Sequence, residues 1–405
     1  MPIRASGKTS MFAATLLMAC LFAPRADAAS ERVVYAFSGA SNSKGPIDGH
    51  GPSGSLAVLN GTLYGTTISG GNGCRHGVCG IVFAVTPAGA ETVLHNFKGG
   101  AGDGMEPNGD LLVIGKSLFG TTLFGVGGGV AYKITQAGHE TILHAFGGSA
   151  DGYEPNGGLA HVGGTLYGTT IYGGVSQGCC GTVFSMTPAG TEAVLHEFGA
   201  TQTEPSGPLA SVTYVGGLLY GTVINSGAAN SGGGVYSVTP AGEFSLLSSF
   251  TGSTNGVLVA NEPRASLVKF GGKLYGTTMG GGAIGTCGGN GGCGTAFSVT
   301  PKGKWKVLHK FGTGTDAWWP ISSLLNVGGT LYGAAYGGGT YNKGAIFTIT
   351  PAGVESVVYS FAGGSDGELP AGGLIDVGGV LYGVTAGGGS AGCGGGCGTV
   401  YAITP

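Results

Sequence analysis

The amino-acid sequence predicts an all-β protein, a seven-bladed β-propeller with four-stranded blades, and three observations predict it. Of 405 residues, 90 are Gly, which marks a chain rich in tight turns. One sequence unit recurs seven times between residue 31 and the end, and each unit holds four short strand-like runs. The hydrophobic fraction is 42%, so the chain can fill a large core. Seven such units are typical of a propeller.

The repeated unit begins with a strand-like run that ends in Phe, as in residues 93–97. A loop rich in Gly, Asp and Pro follows, and then an apolar run closed by Gly-Gly. The motif Leu-Tyr-Gly-Thr-Thr comes next (166–170), and Gly-Thr-Val-Phe-x-x-Thr-Pro-x-Gly ends the unit (181–190). Gly-Gly and Thr-Pro-x-Gly predict tight turns between strands. The seven copies begin near Glu31, Glu91, Glu140, Glu192, Phe244, Trp305 and Glu355.

The order of the runs predicts how the ring closes. The first copy opens on its Phe-ending run (31–37), whereas the last copy ends before a run of that kind. We therefore expect residues 31–37 to be the outermost strand of the last blade, whose other strands lie between Gly373 and Ile403. A stacked solenoid is the alternative, but only a closed ring gains from this split, because closure hides two sheet edges. The sequence predicts one propeller domain over residues 29–405.

The first 28 residues have the pattern of a signal peptide. Arg4 and Lys8 precede an apolar run at 11–22, and residues 26–28 fit a small-x-small cleavage site. We therefore predict a secreted or periplasmic protein. The alternative is a lipoprotein anchored through Cys20, since residues 17–20 resemble a lipobox. No later apolar stretch approaches the roughly 18 residues that a membrane-spanning helix needs.

Charge and composition exclude several classes of protein. The formal net charge is -3 and only 9% of the residues are charged, so the basic surface that nucleic-acid binding requires is missing. Disorder conflicts with the large apolar fraction. Collagen conflicts with the clustering of Gly in pairs and triplets.

Eight cysteines follow the predicted signal peptide, and they are grouped in four local pairs. Each pair lies between the Leu-Tyr-Gly strand and the Gly-Thr-Val-Phe strand of units 1, 3, 5 and 7. Eight cysteines allow 105 connectivities, but a propeller holds most of the pairs apart, so we predict a disulfide bond within each loop. Zinc bound by the four thiols of units 7 and 1 is the alternative. The pairs are Cys74/Cys79, Cys179/Cys180, Cys287/Cys293 and Cys393/Cys397.

The joined motifs Leu-Tyr-Gly-Thr-Thr, Gly-Thr-Val-Phe-x-x-Thr-Pro-x-Gly and Val-Leu-His-x-Phe resemble the bacterial tandem repeat known as GloVer. The resemblance covers residues 31–405. It implies an exported protein of propeller-like repeats whose biochemical activity is undetermined.

Candidate binding residues lie where the repeats stop agreeing. The loops from an outermost strand to the next innermost strand, and those from second to third strand, share one side of a propeller; we call this side the long-loop face. We interpret two adjacent tryptophans there as a stacking platform for sugar rings or an anchor for a protein partner. The alternative is that one of them fills the next blade. The candidates are His50, Arg75, His76, Asp316, Trp318, Trp319, Tyr336 and Tyr341.

Two sets of potential metal ligands recur in the repeats. Asp103, Glu106, Asp151 and Glu154 belong to repeated Asp-Gly-x-Glu-Pro loops that could hold calcium, although Asp turns explain the recurrence equally well. Four histidines on separate Phe-ending runs are too far apart for one ion, so we predict a structural role. They are His95, His144, His196 and His309.

The sequence predicts a non-catalytic propeller that binds an extracellular glycan or protein through its long-loop face. The alternative is a carbohydrate-active enzyme, a polysaccharide lyase or hydrolase, that uses the same face. Neither a Gly-x-Ser-x-Gly elbow nor a His-Glu-x-x-His motif is present in the sequence. We expect no cofactor, no nucleic-acid partner and a monomeric protein.

Overall fold

The computed structural model describes Met1 and residues 29–405, apart from short segments at 40–47, 73–78, 101, 149, 175–178, 200, 202, 229–230, 255–256, 284–286 and 288–290. Almost all of the predicted signal peptide, including Cys20, therefore lies outside the described residues.

Seven antiparallel four-stranded sheets form the blades of a β-propeller, as the sequence predicts. Blade 1 contains the strands His50–Leu59, Thr62–Ser69, Ile81–Val85 and Glu91–Asn96. Blade 2 contains Leu112–Ile114, Ser117–Thr122, Val130–Thr135 and Glu140–Ala145. Blade 3 contains Ala160–Val162, Thr165–Thr170, Thr182–Met186 and Glu192–Glu197. Blades 4 and 5 contain Thr213–Val215, Leu218–Val223, Ser231–Val238 and Phe244–Thr251; Val268–Phe270, Lys273–Thr278, Thr295–Val299 and Trp305–Lys310.

The last two blades show how the ring closes. Blade 6 contains the strands Leu325–Val327, Thr330–Ala335, Ala345–Ile349 and Glu355–Ser360. Blade 7 contains Ile375–Val377, Val380–Gly387, Thr399–Thr404 and Ser30–Ala36. The first strand of the chain, Ser30–Ala36, pairs antiparallel with the last, Thr399–Thr404, and Glu31 lies opposite Ile403. The N-terminal strand is therefore the outermost strand of blade 7, which confirms the predicted closure.

Short additional strands extend the blades at the long-loop face. Glu368–Pro370 pairs with the second strand of blade 7, and a 3-10 helix spans Gly364–Asp366. The other pairs are Gly104–Met105 with Phe124–Gly125, Ser253–Thr254 with Val257–Leu258, Ala260–Asn261 with Gly280–Gly281, and Ala317–Trp318 with Gly337–Gly338.

The Gly of Leu-Tyr-Gly has a packing role within each blade. Gly168 lies opposite Phe184 of the third strand, and a Cβ on this Gly would lie 2.5 Å from Cζ of the phenyl ring. The corresponding aromatic residue in every blade lies over the corresponding Gly, so a side chain there is excluded. These aromatics are Phe83, Tyr132, Phe184, Tyr236, Phe297, Phe347 and Tyr401, all fully buried.

Neighbouring blades are joined by the Phe that ends each outermost strand. Phe97 of blade 1 meets Tyr132 of blade 2, with ring centroids 5.2 Å apart and an angle of 63°. Edge-on contacts of this kind stabilise aromatic pairs beyond their buried area. The same contact joins every junction: Phe37 with Phe83, Phe97 with Tyr132, Phe146 with Phe184, Phe198 with Tyr236, Phe250 with Phe297, Phe311 with Phe347, and Phe361 with Tyr401.

Candidate functional site

Before each innermost strand, a residue in the left-handed backbone conformation is followed by a proline, and together they direct the chain towards the propeller axis. Its backbone N–H donates to a carbonyl of the preceding blade, for example from Glu106 to Cys79 at 3.0 Å and from Trp319 to Cys293 at 2.8 Å. All seven residues have φ between 54° and 71°, although five of them are not Gly. They are Gly51, Glu106, Glu154, Gly207, Glu262, Trp319 and Leu369.

The three residues after each of these prolines line a funnel on the propeller axis. Its volume is about 510 Å³, within the ~300–1,000 Å³ of small-ligand sites. Four residues at, or just after, the ends of second strands complete the lining, so the funnel opens towards the long-loop face; they are Ile68, Met279, Tyr336 and Ala386. The seven segments are 53–55, 108–110, 156–158, 209–211, 264–266, 321–323 and 371–373.

One side of the funnel is a hydrogen-bonded wall built by neighbouring blades. Asn108 donates from Nδ2 to Oδ1 of Asn156 at 2.6 Å, and Asn156 donates to the carbonyl of Leu209 at 3.0 Å. Asp110 accepts the backbone N–H of Ser55 at 2.5 Å. These bonds fix two amides and one carboxylate in place, and all three side chains remain half-buried. The wall therefore offers preorganised donors and acceptors to a ligand.

Arg264 is the cation of the described funnel lining, and it comes from the segment before the first strand of blade 5. Its guanidinium forms an exposed salt bridge at 3.0 Å with Glu262. Most other lining residues are small and uncharged. The funnel thus carries little net charge, which disfavours a highly charged ligand.

Aromatic side chains are grouped at two places on the long-loop face, and one of these residues lines the funnel. In blade 6, Tyr336 lines the funnel, and its backbone N–H donates to the carbonyl of Trp319 at 3.1 Å. The rings of Trp318 and Trp319 are 6.2 Å apart. In blade 3, Tyr153 and Tyr172 are stacked with centroids 5.3 Å apart, and Tyr172 is 41% exposed.

The structure brings together three of the residues that the sequence singles out, Trp318, Trp319 and Tyr336. Both tryptophans are half-buried against the core between blades 5 and 6, and Trp319 donates from its indole N–H to Gly292 at 3.3 Å. The two tryptophans therefore pack against the core and also lie at the long-loop face.

The remaining candidates are placed differently. Asp316 is buried at a blade junction beside His309. His50 is half-buried in the first strand of blade 1, opposite Ser69, and Tyr341 is 57% exposed. Arg75 and His76 lie outside the described residues.

Local disulfide bonds hold the loops that receive the inter-blade hydrogen bonds. The described pairs are Cys179–Cys180, Cys287–Cys293 and Cys393–Cys397. Cys79 is also disulfide-bonded, and its predicted partner Cys74 lies outside the described residues. The described cysteines are therefore bonded, so the alternative of a thiolate zinc site is wrong for them. The carbonyls of Cys79, Cys180, Cys293 and Cys397 each accept a bond from the next blade.

A second recurrent polar arrangement lies at the outer ends of the blade junctions. At five junctions, a Glu that begins an outermost strand faces an Asp from the loop of the preceding blade. Burial, and then the Asp charge, raise the pKa of Glu31 to about 8 and that of Glu91 to about 7. The pairs are Glu31 with Asp366, Glu91 with Asp48, Glu140 with Asp103, Glu192 with Asp151, and Glu355 with Asp316.

The histidines belong to these junctions. His144 and His309 contact Asp151 and Asp316 through Nε2 at 3.1 and 3.0 Å. Tyr35 and Tyr359 take the same place at two other junctions and donate to their Asp at 2.6 Å. At the two remaining junctions Phe244 and Trp305 replace the Glu, and His196 stacks on Phe244 at 3.9 Å.

Two junctions, His95–Asp103–Glu140 and His309–Asp316–Glu355, bring three potential ligand atoms within 4.8 Å of one another. Glu106, Asp151 and Glu154 belong to neither group, so the described residues do not gather the four candidate calcium ligands into one cluster. Glu106 and Glu154 instead precede the funnel prolines, where burial raises the pKa of both, and the charge of Glu106 raises that of Glu154 further.

Sequence reasoning did not single out the funnel wall. Asn108, Asp110 and Asn156 belong to loops that the motif alignment treats as variable. The feature of the sequence that could have indicated the funnel is the residue after each repeated proline, because its type varies between blades. These residues are Ser53, Asn108, Asn156, Leu209, Arg264, Ile321 and Ala371.

The fold and the axial funnel define a seven-bladed β-propeller built of tandem repeats. The chain belongs to the Gloeobacter/Verrucomicrobia repeat family, whose sequence profile matches residues 51–287 and 223–405. This confirms the resemblance to GloVer repeats. No curated protein is significantly similar to the chain in sequence.

Several enzymes of known structure are similar to this chain in architecture. A puromycin-hydrolyzing peptidase of Mycobacterium tuberculosis has a TM-score of 0.53 and 12% identity; the match covers 84% of this chain and 50% of the peptidase. A gluconolactonase of Xanthomonas campestris (TM-score 0.43, 12% identity) matches 76% of this chain and 86% of its own. A PQQ-bound aldose sugar dehydrogenase of Streptomyces coelicolor (TM-score 0.44, 15% identity) matches 93% and 98%. At these identities the comparison establishes the fold alone.

Two observations bear on location. Disulfide bonds are compatible with an extracellular compartment. Within the described part of the chain, no helix has the length and apolar character needed to cross a membrane.

Proposed function

We propose that the protein is secreted and binds a glycan, without catalysis, in the axial funnel of its long-loop face. The observation that carries this proposal is the amide pair Asn108–Asn156, fixed across the boundary of blades 2 and 3 in a funnel of low net charge. Sugar hydroxyls both donate and accept hydrogen bonds, so amides and a carboxylate that are already positioned suit them.

The aromatic residues support a sugar rather than another polar ligand. Tyr336 lies in the funnel lining, and the partly exposed Tyr172 lies at blade 3, on a different part of the long-loop face. Aromatic rings offer flat apolar surface of the kind that the C–H faces of pyranose rings contact. A funnel with hydrogen-bonding groups on one side and an aromatic ring in blade 6 would contact both the hydroxyls and the ring faces of a saccharide.

A glycan array of neutral and acidic oligosaccharides tests the proposal, with a panel of peptides as the comparison for a protein ligand. The fluorescently labelled wild-type protein should bind a subset of the glycans. Tyr336→Ala should lose most of this signal, whereas Lys269→Ala should keep it because Lys269 is exposed beside a tight turn on the opposite face. Binding to peptides alone, or a Tyr336→Ala signal equal to that of the wild type, would refute the proposal.

A carbohydrate-active enzyme is the second candidate, favoured by Glu106 and Glu154. The two residues precede the funnel prolines of adjacent blades, and the charge of Glu106 raises the pKa of Glu154. Paired carboxyl groups are the usual machinery of glycoside hydrolysis. Incubation with the bound glycan, followed by assays for new reducing ends and unsaturated sugars, separates the candidates. Product formation that Glu154→Gln abolishes would replace the binding function with catalysis.

A further inference from the structure

We propose that His309, Asp316 and Glu355 bind a divalent transition-metal ion of the zinc class at the junction of blades 5 and 6. His95, Asp103 and Glu140 form a second site of the same design at the junction of blades 1 and 2. Each site takes the His and Asp from one blade and the Glu from the next, so the ion links two blades at their outermost strands.

The donor set selects the class of ion. One imidazole nitrogen and two carboxylate oxygens suit zinc, which binds nitrogen and oxygen ligands in tetrahedral geometry. Calcium is disfavoured because it takes six to eight oxygen ligands and gains nothing from imidazole. Three protein ligands leave one position of the tetrahedron for water or another ligand.

Both sites contain buried atoms that have no hydrogen-bond partner among the described residues. At the first, the Asp316 side chain is only 6% exposed, and its Oδ1 has no hydrogen-bond partner among the described residues. Oε1 of Glu355 is buried without a partner as well, as is Oε1 of the Glu at the other four junctions, whereas among the five Asp residues of these junctions the unpartnered buried oxygen is that of Asp316. Such atoms cost free energy unless a proton or a cation satisfies them.

The second site shows the spacing expected of ligands around one ion. Nε2 of His95 lies 3.7 Å from Oδ1 of Asp103 and 3.5 Å from Oε2 of Glu140. These separations are too long for hydrogen bonds, but zinc–ligand distances of ~2.0–2.2 Å place tetrahedral ligands about 3.4 Å apart. Nε2 of His95 is buried and has no hydrogen-bond partner among the described residues.

A shared proton is the competing explanation for these carboxyl pairs. It accounts for the junctions of Tyr35 and Tyr359, which lack a His. Substitution of Glu by Gln separates the two explanations, because Gln resembles the protonated acid in shape but is a poor metal ligand. If a shared proton is the explanation, the Gln variant stays folded and zinc binds neither the variant nor the wild type.

The junction of blades 2 and 3 provides a matched control. His144, Asp151 and Glu192 have the same residue types, but their ligand atoms are not all within 4.8 Å of one another. Glu192→Gln therefore makes the same chemical change without removing a ligand from either proposed site.

Calorimetric titration of the oxidised, EDTA-treated protein with zinc chloride tests the proposal. We expect two equivalents for the wild type and for Glu192→Gln, one for Glu355→Gln, and none for Glu140→Gln/Glu355→Gln. Zinc should raise the thermal midpoint most in the wild type and Glu192→Gln, less in Glu355→Gln, and not at all in the double variant, since binding to the folded state stabilises it. Absence of zinc binding by the wild type, or an unchanged stoichiometry in the double variant with a normal zinc-free midpoint, would overturn the proposal.

Discussion

Phe37 meets Phe83 edge to face, with ring centroids 5.1 Å apart and an interplanar angle of 71°. Phe37 follows the N-terminal strand that completes blade 7, and Phe83 belongs to the third strand of blade 1. The contact therefore joins the two ends of the repeat array by the same arrangement that joins every other pair of blades. Closure needs no special device beyond an outermost strand from the other end of the chain.

Substitution of Phe37 by Ala should destabilise the protein by about 3–5 kcal/mol, the usual cost for a fully buried Phe. Deletion of residues 30–37 should cost more or cause aggregation, because it also exposes the edge of the strand Thr399–Thr404. Denaturant unfolding of both variants measures the loss. A change below about 0.5 kcal/mol in Phe37→Ala, the range of ordinary surface substitutions, would show that this strand contributes little to the ring.

Gly168→Ala should destabilise the protein by about 1–3 kcal/mol, because its new Cβ would overlap Phe184 in a packed blade. Gly102→Ala is the matched control, since no atom lies within 4 Å of its Cβ position. Thermal unfolding of the two variants should give a clear drop for the first and little change for the second. Equal midpoints would mean that the Gly of Leu-Tyr-Gly is not required by packing.

Stability should fall as pH rises from about 4.5 to 8, because the folded protein retains a proton on Glu31 that the unfolded chain releases. Burial and Asp366 raise the pKa of Glu31 from 4.5 to about 8, and Arg32 opposes this only partly. The stabilisation is fully present below pH 4.5 and is lost as pH rises through the folded-state value.

Thermal midpoints between pH 5 and 9 measure this linkage. Glu31→Gln should give a smaller decline over this range and a higher midpoint than the wild type at pH 8, because Gln needs no proton. Tyr359 and Tyr401 also face Glu31, but their pKa values are raised well above the range of the measurement. An identical pH profile in the variant would assign the decline to other groups.

Trp319→Ala should cost about 1–3 kcal/mol, less than a fully buried Trp, because the indole is half-buried and holds Gly292 at the disulfide loop of blade 5. Tyr341→Ala should change stability by less than about 0.5 kcal/mol, since Tyr341 is 57% exposed. Chemical denaturation of both variants tests the difference. If the Trp319→Ala variant were as stable as the wild type, Trp319 would not contribute to packing and its role would be to face a ligand.

The fold could be predicted in detail because its determinants are repeated in the sequence. Leu-Tyr-Gly-Thr-Thr and Gly-Thr-Val-Phe recur in the same order in successive repeats, so seven copies report the same strand order. The closure by residues 31–37 followed from where the copies begin and end. Local cysteine spacing likewise predicted the three described disulfide bonds.

The site could be predicted only in part, because it depends on contacts between blades. Asn108 and Asn156 are 48 residues apart, and nothing local indicates that their amides meet. The histidines were predicted to be structural because they are distant from one another. His95, His144 and His309 each face an Asp from the following loop, and at the junctions of His95 and His309 a Glu from the next repeat joins them. Trp319 was predicted from its departure from Glu-Pro, but its partial burial depends on the neighbouring blade.

Isothermal titration calorimetry with the glycan that binds best tests the funnel site most directly. Asn108→Ala/Asn156→Ala removes the amide wall, and the loss of two or more hydrogen bonds of about 0.5–1.5 kcal/mol each should weaken binding about fivefold or more. Lys269→Ala should bind as the wild type does, and both variants should be checked for folding by circular dichroism. Wild-type affinity in a folded Asn108→Ala/Asn156→Ala protein would contradict the account, because the ligand would then bind outside the funnel.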